Sequence, residues 1–470
     1  MSADPHFARP MPRLVSRRTA TRLLAGSAAP LLFAPARLGA AQSGPDLIVV
    51  ILSDLHSGYD RAAPTLAALD GMLALYRGVP ALIVINGDVF ERGNTVALRT
   101  EGLVDWAFLA ALRRRAPVVL NIGNHEGALA DDLVHVVASA DAADLLVVSN
   151  IVDRRVGLPF ASARVRLALG GRTVHVVGLA TDDASAYREP VRGTLDLPAP
   201  VAWAEANLAG ALAGAQFGIV LSHAGVAADR RILDRVPDGT LVVGGHDHLS
   251  LVHGHGRTRY LHTGSWNRQL TVAGIGFQGG RPEIALLQVP VDAAAPGDKE
   301  MAALVRETMA RHLTQSEREV LGRLPAAMDL SAAARFLARS VAAAAGGQVG
   351  LINHTNLGTG LPAGQVNRHA FDAFVRFDGS LFKAEVDGDT LRRILARANQ
   401  DADTPLDLRT GDFVYANEVP AAPAPEARYG IVTTGWVRQN AGRYLGRDDI
   451  AFTEVPNARL KAVAAQALPR

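Results

Sequence analysis

The sequence contains no cysteine among its 470 residues. Disulfides, thiolate metal sites, iron–sulfur clusters and cysteine nucleophiles are therefore excluded. Any metal ion must be held by histidine, aspartate, glutamate or asparagine. Lysine is scarce too, because only three of the 48 basic residues are lysines. The 45 glycines and 25 prolines follow no period, which excludes collagen and is typical of a loop-rich α/β protein.

Long apolar runs are also missing, even at the amino terminus. Arg17 and Arg18 precede a weakly apolar, alanine-rich stretch that ends in the small residues of 38–41. This pattern resembles a twin-arginine export signal, so we expect residues 1–41 to be a signal and the protein to be periplasmic or secreted. Arg22 and Arg37 leave too short an apolar run to cross about 30 Å of lipid, so no stable membrane anchor is expected.

The basic charge of the chain is concentrated in that segment. Removing the six arginines and one aspartate of residues 1–41 takes the formal charge from +2 to −3. A mildly acidic mature chain offers no polycationic surface, so a nucleic-acid polymer is not expected as a partner.

Seven short apolar runs occur from residue 46 onwards, and helical patterns lie between several of them. Continuous apolar runs of this length predict strands buried on both faces, and strand–helix alternation predicts an α/β sheet covered by helices. Gly170 and Gly171 predict a hairpin turn. The runs are 47–52, 81–85, 117–122, 145–149, 174–180, 217–221 and 240–244, with helices predicted over 63–76 and 101–114.

A second pattern begins near residue 295. Residues 298–345 are rich in alanine, arginine, glutamate and leucine, which predicts two or three helices and no strand. Strands are then predicted over 348–353, 375–386 and 428–436, and a helix from Gly388. At roughly 100–200 residues per domain, the chain is expected to hold a signal (1–41), a first domain (42–295) and a second domain (296–470).

Polar clusters follow five of the predicted strands at their carboxyl ends. In a parallel-type sheet these ends open onto one crevice, where ligands usually bind. Carboxylates, imidazoles and an amide oxygen suit divalent ions such as zinc or manganese, and a shared aspartate can bridge two ions roughly 3.5–4 Å apart. The clusters are Asp54-Leu55-His56, Gly87-Asp88, Gly123-Asn124-His125-Glu126, Ser222-His223 and Gly245-His246-Asp247-His248.

Together these motifs resemble the calcineurin-like metallophosphoesterase superfamily, and the following region is similar to the 5′-nucleotidase group within it. The resemblance implies a layered αββα domain followed by a smaller α/β domain. It also implies two divalent metal ions, zinc, manganese or similar, and a metal-bridged hydroxide that attacks a phosphate ester. Asp54, His56, Asp88 and His248 would hold one ion, Asp88, Asn124, His223 and His246 the other, and His125 would contact the scissile phosphate.

The sequence departs from the 5′-nucleotidase pattern beside His125. In that group an aspartate three residues later orients the histidine, whereas Ala128 stands here. Such a carboxylate normally sets the tautomer of an imidazole. Asp131 and Asp132 are expected to be solvated acids at a helix start rather than substitutes.

The region 348–395 resembles the nucleotide-binding domain of 5′-nucleotidases. Asn353 and Gly388 fit its pattern, but the glycine-rich loop lacks its arginine, for which Arg376 or Arg368 are candidates. Trp436 and Tyr444 are candidates for stacking on a base.

The expected function is therefore an exported, dinuclear metal-dependent phosphohydrolase acting on a nucleotide or another small phosphate ester. Two alternatives stay open. One is an enzyme like the sulfur-oxidation thiohydrolase, which shares the two-domain plan. The other is a binding module that has lost turnover, suggested by Ala128 and the missing loop arginine.

Overall fold

The structure is a computed structural model that describes residues 44–401, 404–419 and 422–470. These residues belong to one compact unit. The predicted export signal lies outside them and stays a prediction. Within the described ranges, no helix has the length and apolarity needed to cross a membrane.

The amino-terminal half is built from fifteen strands and seven α-helices. Several predicted runs are found within one to two residues of their expected bounds. The elements are β1 (Leu47–Leu52), α1 (Tyr59–Leu75), β2 (Ala81–Asn86), α2 (Thr95–Arg99), α3 (Leu103–Arg113), β3 (Val118–Asn121), α4 (Leu133–Ala142), β4 (Leu146–Val148), β5 (Val152–Asp153), β6 (Leu158–Pro159), β7 (Arg164–Leu169), β8 (Arg172–Ala180), α5 (Glu189–Arg192), β9 (Leu195–Asp196), α6 (Pro200–Leu212), β10 (Phe217–His223), α7 (Val226–Ile232), β11 (Leu241–Gly244), β12 (Ser250–His255), β13 (Thr258–Thr263), β14 (Gln269–Gln278) and β15 (Arg281–Pro290).

Twelve of these strands form two six-stranded sheets rather than one, and β6, β5 and β9 form a small third sheet. The first has the order β15-β14-β1-β2-β3-β4, and the second has the order β12-β13-β11-β10-β8-β7. In each sheet four neighbouring strands run parallel: β1, β2, β3 and β4 in the first, and β8, β10, β11 and β13 in the second. The hairpin at Gly170-Gly171 joins β7 to β8, as predicted.

Side chains of β1 show why the apolar runs are continuous. Leu47, Val49 and Ile51 pack into the core between the two sheets. Ile48 and Val50 point the other way, into a core shared with the covering helices. Both faces of β1 are buried, so apolar and polar residues do not alternate along this strand. This is the layered αββα arrangement that the family resemblance implies, and the fold prediction is confirmed.

The carboxyl-terminal part adds a five-stranded sheet, β20-β17-β21-β19-β22, and a two-stranded sheet, β16-β18. Its described elements are α8 (Lys299–His312), α9 (Gln315–Arg318), β16 (Val320–Leu324), α10 (Leu330–Ala344), β17 (Val349–Asn353), β18 (Gly364–Asn367), α11 (Arg368–Phe374), β19 (Ser380–Asp387), α12 (Gly388–Ala396), β20 (Val414–Ala416), β21 (Arg428–Thr434), α13 (Gly435–Gln439), α14 (Ala441–Leu445), β22 (Thr453–Arg459) and α15 (Leu460–Ala467).

Two sequence predictions for this part are wrong. Residues 298–345 contain a strand, β16, because this segment pairs antiparallel with β18 further along the chain. The strand predicted over 375–386 begins only at Ser380. Residues 375–379 form a loop instead, since the carboxylate of Asp378 accepts hydrogen bonds from Arg459 and from the backbone N–H of Lys461.

Candidate metal centre and substrate cavity

The polar clusters lie at the carboxyl ends of strands in both six-stranded sheets. Three follow β1, β2 and β3 of the first sheet, and two lie at the ends of β10 and β11 of the second. Because the two sheets pack face to face, their carboxyl ends bring the clusters together. The polar clusters therefore line one crevice, as predicted, but the strand ends that form it come from two sheets.

Two buried asparagines tie the sheets together beneath these strand ends. The Asn86 side-chain amide donates to the carbonyls of Ser222 and Val243, at 3.0 Å each. The Asn121 amide donates to Asn86 Oδ1 at 3.0 Å, and to carbonyl oxygens of β8 and β10. Both asparagines are completely buried. A buried network of this kind fixes the register of one sheet against the other.

Close backbone approach explains the glycines that precede two of the candidate ligands. A Cβ atom on Gly87, whose φ is +76°, would lie 2.7 Å from the backbone nitrogen of Gly123. A Cβ atom on Gly123 would lie 2.4 Å from the Asp88 carboxylate. Neither position has room for a side chain.

Five of the seven candidate ligands hold a left-handed backbone conformation. Non-glycine residues rarely adopt it, and each instance costs on the order of 1–3 kcal/mol. Such strained backbone conformations cluster at functional sites, where the direction of the side chain is important. The five are Asp54, His56, Asp88, His246 and His248, with φ between +45° and +76°.

Asp54, His56, Asp88 and His248 converge as predicted for the first metal ion. Their ligand atoms all lie within 4.8 Å of one another. The Nε2 atoms of His56 and His248 face each other at 2.9 Å. His248 Nε2 lies 3.7 Å from Asp54 Oδ1, and His56 Nε2 lies 3.6 Å from Asp88 Oδ2.

The chemistry of this group fits a divalent ion. Burial lowers the pKa of His56 to about 4 and that of His248 well below its usual value, so both imidazoles are neutral and offer lone pairs. A cation between the two Nε2 atoms, which face each other at 2.9 Å, would take a lone pair from each ring. A cation between these two donors and the two carboxylates satisfies all four.

The residues predicted for the second ion approach one another in pairs. Asn124 Oδ1 lies 2.8 Å from His246 Nδ1, and His223 Nε2 lies 3.2 Å from Asp88 Oδ2. The rings of His223 and His246 are 5.5 Å apart. His223 is held in place by its other nitrogen, whose neighbour is the carbonyl oxygen of Asn86 at 2.6 Å.

Proton occupancy in this group depends on the two buried carboxylates. Burial disfavours the charged form of His223, but the charges of Asp88 and Asp54 outweigh it and raise the pKa of His223 to about 10. Burial raises the pKa of Asp54 to about 7. Burial also opposes ionisation of Asp88, yet the neighbouring histidines hold its pKa well below its usual value. A cation at His223 must therefore displace a proton.

His125 lies beside the first group, with its backbone N–H donating to Asp88 Oδ1 at 2.7 Å. Its ring is 4.8 Å from that of His56. Ala128 is buried in the following turn, and the two nearby aspartates have other partners. Asp131 pairs with Arg188, and Asp132 caps α4 by accepting from the N–H of Val134.

The carboxylate nearest the His125 ring comes instead from Glu91, a residue that was not predicted from the sequence. Glu91 Oε2 lies 3.8 Å from His125 Nδ1 and 3.3 Å from His56 Nδ1. Burial works against ionisation of Glu91, but the guanidinium of Arg376 holds its pKa well below the usual range. Glu91 is therefore a buried anion that faces both imidazoles.

Arg376 completes this arrangement from the carboxyl-terminal part. Its Nη2 forms a short ion pair with Glu91 Oε2 and lies 3.3 Å from His125 Nε2. Its Nη1 donates to the carbonyl of Thr355 at 2.9 Å. The Arg376 side chain is only 4% exposed. The guanidinium also lies 5.2 Å from the ring of Trp266, which in turn stacks on His56 at 4.3 Å.

A cavity of about 440 Å³ opens from the metal-ligand cluster towards the carboxyl-terminal part. One side, the metal wall, is formed by Asp88, Asn124, His125, His246 and His248. The opposite side, the C-terminal wall, is formed by residues 353–356, Arg376, Phe377, Trp436 and Tyr444.

The predicted substrate-binding residues Asn353, Arg376, Trp436 and Tyr444 all line this cavity. Trp436 is 44% exposed, and its indole N–H donates to the Tyr444 hydroxyl at 3.2 Å. Tyr444 is buried, so its hydroxyl anchors the indole N–H. Phe377, 55% exposed, is a second aromatic face that was not predicted. Arg368 pairs with Glu319 at the surface and is not among the lining residues.

The family comparison agrees with this architecture. The family described as calcineurin-like phosphoesterase matches residues 47–250. Residues 47–250 therefore match a calcineurin-like phosphoesterase domain, and the members of that family are hydrolases that use divalent metals. A comparison with curated protein sequences gave no significant match.

Solved structures with similar folds span almost the whole chain. A 5′-nucleotidase precursor from Thermus thermophilus is 17% identical, with a TM-score of 0.59, over 90% of this chain and 96% of that one. The sulfate thiohydrolase SoxB of Thermus thermophilus, solved in complex with glycerol, is 16% identical, with a TM-score of 0.63, over 90% and 94%. A 5′-nucleotidase from Candida albicans is 12% identical, with a TM-score of 0.58, over 90% and 98%. At these identities the likeness establishes the two-part fold.

Proposed function

We propose that the protein is an exported phosphohydrolase that uses two divalent metal ions to cleave small phosphate esters, with a nucleotide as the expected substrate. The observation that carries this proposal is that four candidate ligands converge within 4.8 Å and the other three approach one another or Asp88 in pairs, beside a 440 Å³ cavity. The calcineurin-like phosphoesterase domain supports the reaction class.

The proposed first ion is held by Asp54, His56, Asp88 and His248, and the second by Asp88, Asn124, His223 and His246. When bound, such ions activate water as a nucleophile and polarise the phosphoryl oxygens. Side chains of the protein would orient His125 and stabilise charge on the phosphoryl group. Glu91 orients His125 from its Nδ1 side, in place of the aspartate that Ala128 replaces.

Arg376 acts on the opposite side of the His125 ring. A guanidinium can only donate, so its approach to His125 Nε2 at 3.3 Å favours a lone pair at Nε2 and the proton at Nδ1, facing Glu91. A phosphoryl group entering the metal wall meets this guanidinium directly. Arg376 is therefore suited to stabilise charge on the transferring group.

The organic part of the substrate is assigned to the C-terminal wall. Phe377 and Trp436 present large apolar faces there, which suits a planar base. Two of the structural neighbours are named 5′-nucleotidases, which is consistent with this assignment.

The test is hydrolysis by purified, manganese-loaded protein on p-nitrophenyl phosphate and AMP. We expect turnover of both, loss of turnover with a chelator, and recovery when manganese or zinc is returned. Tight AMP binding without any hydrolysis would instead support the binding-module alternative. Retention of the full chain in the cytoplasm after Arg17→Lys with Arg18→Lys, but not with Arg9→Lys, would support export.

One alternative substrate is favoured by a specific observation. The SoxB structure shares the fold over 90% of this chain, and Ala128 departs from the nucleotidase pattern. The competing proposal is hydrolysis of a sulfate group from a sulfur-carrying thiol conjugate. Assaying an S-sulfonated cysteine peptide beside AMP, under the same metal loading, distinguishes the two by which one is turned over.

A further inference from the structure

His354 has one ring nitrogen whose role the proposed function leaves unexplained. It begins the short turn that follows β17 and lies in the C-terminal wall of the cavity. Its ring stacks on Phe413 at 4.4 Å, and its Nδ1 lies 3.1 Å from the Phe413 carbonyl oxygen. A carbonyl oxygen only accepts hydrogen bonds, so Nδ1 carries the proton.

The other nitrogen of His354 is consequently a buried acceptor. Because the two ring nitrogens point in diverging directions, Nε2 faces away from the Phe413 carbonyl. His354 is 4% exposed, and Nε2 has no hydrogen-bond partner among the described residues. Burial lowers the pKa of His354 to about 4, so the ring is neutral near pH 7 and Nε2 keeps its lone pair. An unpaired buried acceptor is costly unless an occupant of the site supplies a donor.

The position of His354 places that acceptor close to the reacting centre. Its ring is 6.4 Å from the ring of His248, one of the ligands assigned to the first metal ion. A group recognised at Nε2 can therefore belong to the same bound substrate whose phosphoryl group lies at the metal wall.

The charged groups nearby favour a donor over a second anion. Two arginines line the cavity, and both are already paired. Arg376 is paired with Glu91 and is already assigned to the transferring phosphoryl group. Arg443 is matched by Asp183 at 2.8 Å and by Asp412 at 2.6 Å. A second phosphoryl group, which offers only acceptors, meets no unpaired arginine among the described lining residues.

We propose that His354 is a specificity-determining residue whose Nε2 accepts a hydrogen bond from a hydroxyl or amino group of the leaving group. The inference rests on the proposed function and narrows it. The preferred substrates are phosphate monoesters of donor-bearing, uncharged organic groups, as in a nucleoside monophosphate. Esters whose leaving group has no donor, or carries a further phosphate, are disfavoured.

The test compares His354→Phe with His354→Gln. Phenylalanine keeps a flat ring for stacking on Phe413 and removes both nitrogens, whereas glutamine returns an acceptor oxygen. The probes are AMP, 2′,3′-dideoxy-AMP, which lacks the ribose hydroxyls, and purine riboside 5′-monophosphate, which lacks the amino group. The hydroxyl and amino sources are thereby distinguished. Hydrolysis of p-nitrophenyl phosphate, whose leaving group has no donor, reports the basic reaction.

We expect the wild-type protein to prefer AMP over one of the two analogues by about 10- to 100-fold in kcat/KM. In His354→Phe that preference falls to within about threefold, and His354→Gln restores part of it. Calorimetric binding of the same nucleotides gives the same ratios without turnover. The inference is therefore tested even if p-nitrophenyl phosphate is not hydrolysed, a result that would sink only the proposed function.

Two results would overturn the inference. One is an AMP preference that His354→Phe leaves intact while p-nitrophenyl phosphate is still hydrolysed. The other is an equal loss for every ligand in both variants, accompanied by lower metal content or a lower unfolding midpoint, which would assign His354 to packing alone.

Discussion

The two walls of the cavity are built in different ways. In the metal wall, each candidate ligand follows a buried strand, and the Asn86–Asn121 network fixes the two sheets beneath it. In the C-terminal wall, the side chains stand on short turns and a helix start, and two aromatic faces are about half exposed. The first wall is pre-organised for one chemistry, while the second can vary without disturbing it. Substitutions in the metal wall should therefore change turnover, and those in the C-terminal wall, Arg376 excepted, should change substrate affinity.

The substitution Asp88→Asn tests most directly whether the metal wall controls turnover. Asp88 Oδ2 faces His223 and His56, and its Oδ1 accepts from the His125 backbone. Removing the shared charge should lower hydrolysis of p-nitrophenyl phosphate at least about 1000-fold, because several kcal/mol of transition-state stabilisation depend on the ions. Bound metal, measured by mass spectrometry, should fall as well. Asp131→Asn, an exposed aspartate that pairs with Arg188, is the control. Unchanged metal content and turnover would refute the dinuclear assignment.

A smaller effect is expected at the C-terminal wall with Trp436→Ala. Removing the indole should raise KM for AMP about tenfold, since stacking of a base on an aromatic ring contributes about 1–3 kcal/mol. The kcat should change less than about threefold, because the indole stands in the wall opposite the metal ligands. Leu408→Ala, which removes another exposed apolar side chain outside the cavity lining, is the matched control. A fall in kcat with KM unchanged would show that the C-terminal wall contributes to turnover rather than to substrate affinity.

The same contrast explains what could be predicted from the sequence. The ligands of the metal wall could be predicted because strand ends are local features: an apolar run, a glycine and a polar residue lie within a few positions of one another. Whether β1 and β10 share a sheet is not local. An apolar run such as 217–221 is compatible with a helix layer or with a second sheet on its other face. Strand–helix alternation alone therefore predicted one sheet, and the two-sheet arrangement was implied only by the family resemblance.

The contributions of the C-terminal wall depend on long-range contacts. Arg376 reaches Glu91 across 285 positions, and nothing near either residue signals the pairing. Glu91 stands shortly after Asp88, a local signal that could have drawn attention to it. The acceptor role of His354 depends on the Phe413 carbonyl, 59 positions away. Phe377 lies in the loop before Ser380, within a segment that was predicted as strand from the sequence.

The smallest expected effect concerns the junction between the two parts of the chain. Glu317, in α9, accepts short hydrogen bonds from Arg99 and Thr95 of α2. Its partial burial opposes ionisation, but the Arg99 guanidinium and the Thr95 hydroxyl lower its pKa from 4.5 to about 2. A depressed pKa stabilises the folded protein above the unfolded value, and this contribution is lost as the pH falls from 4.5 towards 2.

Glu317→Gln should therefore lower the free energy of unfolding at pH 7 by at most about 1 kcal/mol, because water screens a pair near the surface. In urea titrations of metal-free protein, the difference from wild type should shrink steadily below pH 4.5. Glu319→Gln, two positions along and 56% exposed, is the control and should show a smaller difference. A difference for Glu317→Gln that stays constant as the pH falls from neutral to about 3 would mean that packing, not charge, joins the metal-binding half to the part that carries the C-terminal wall.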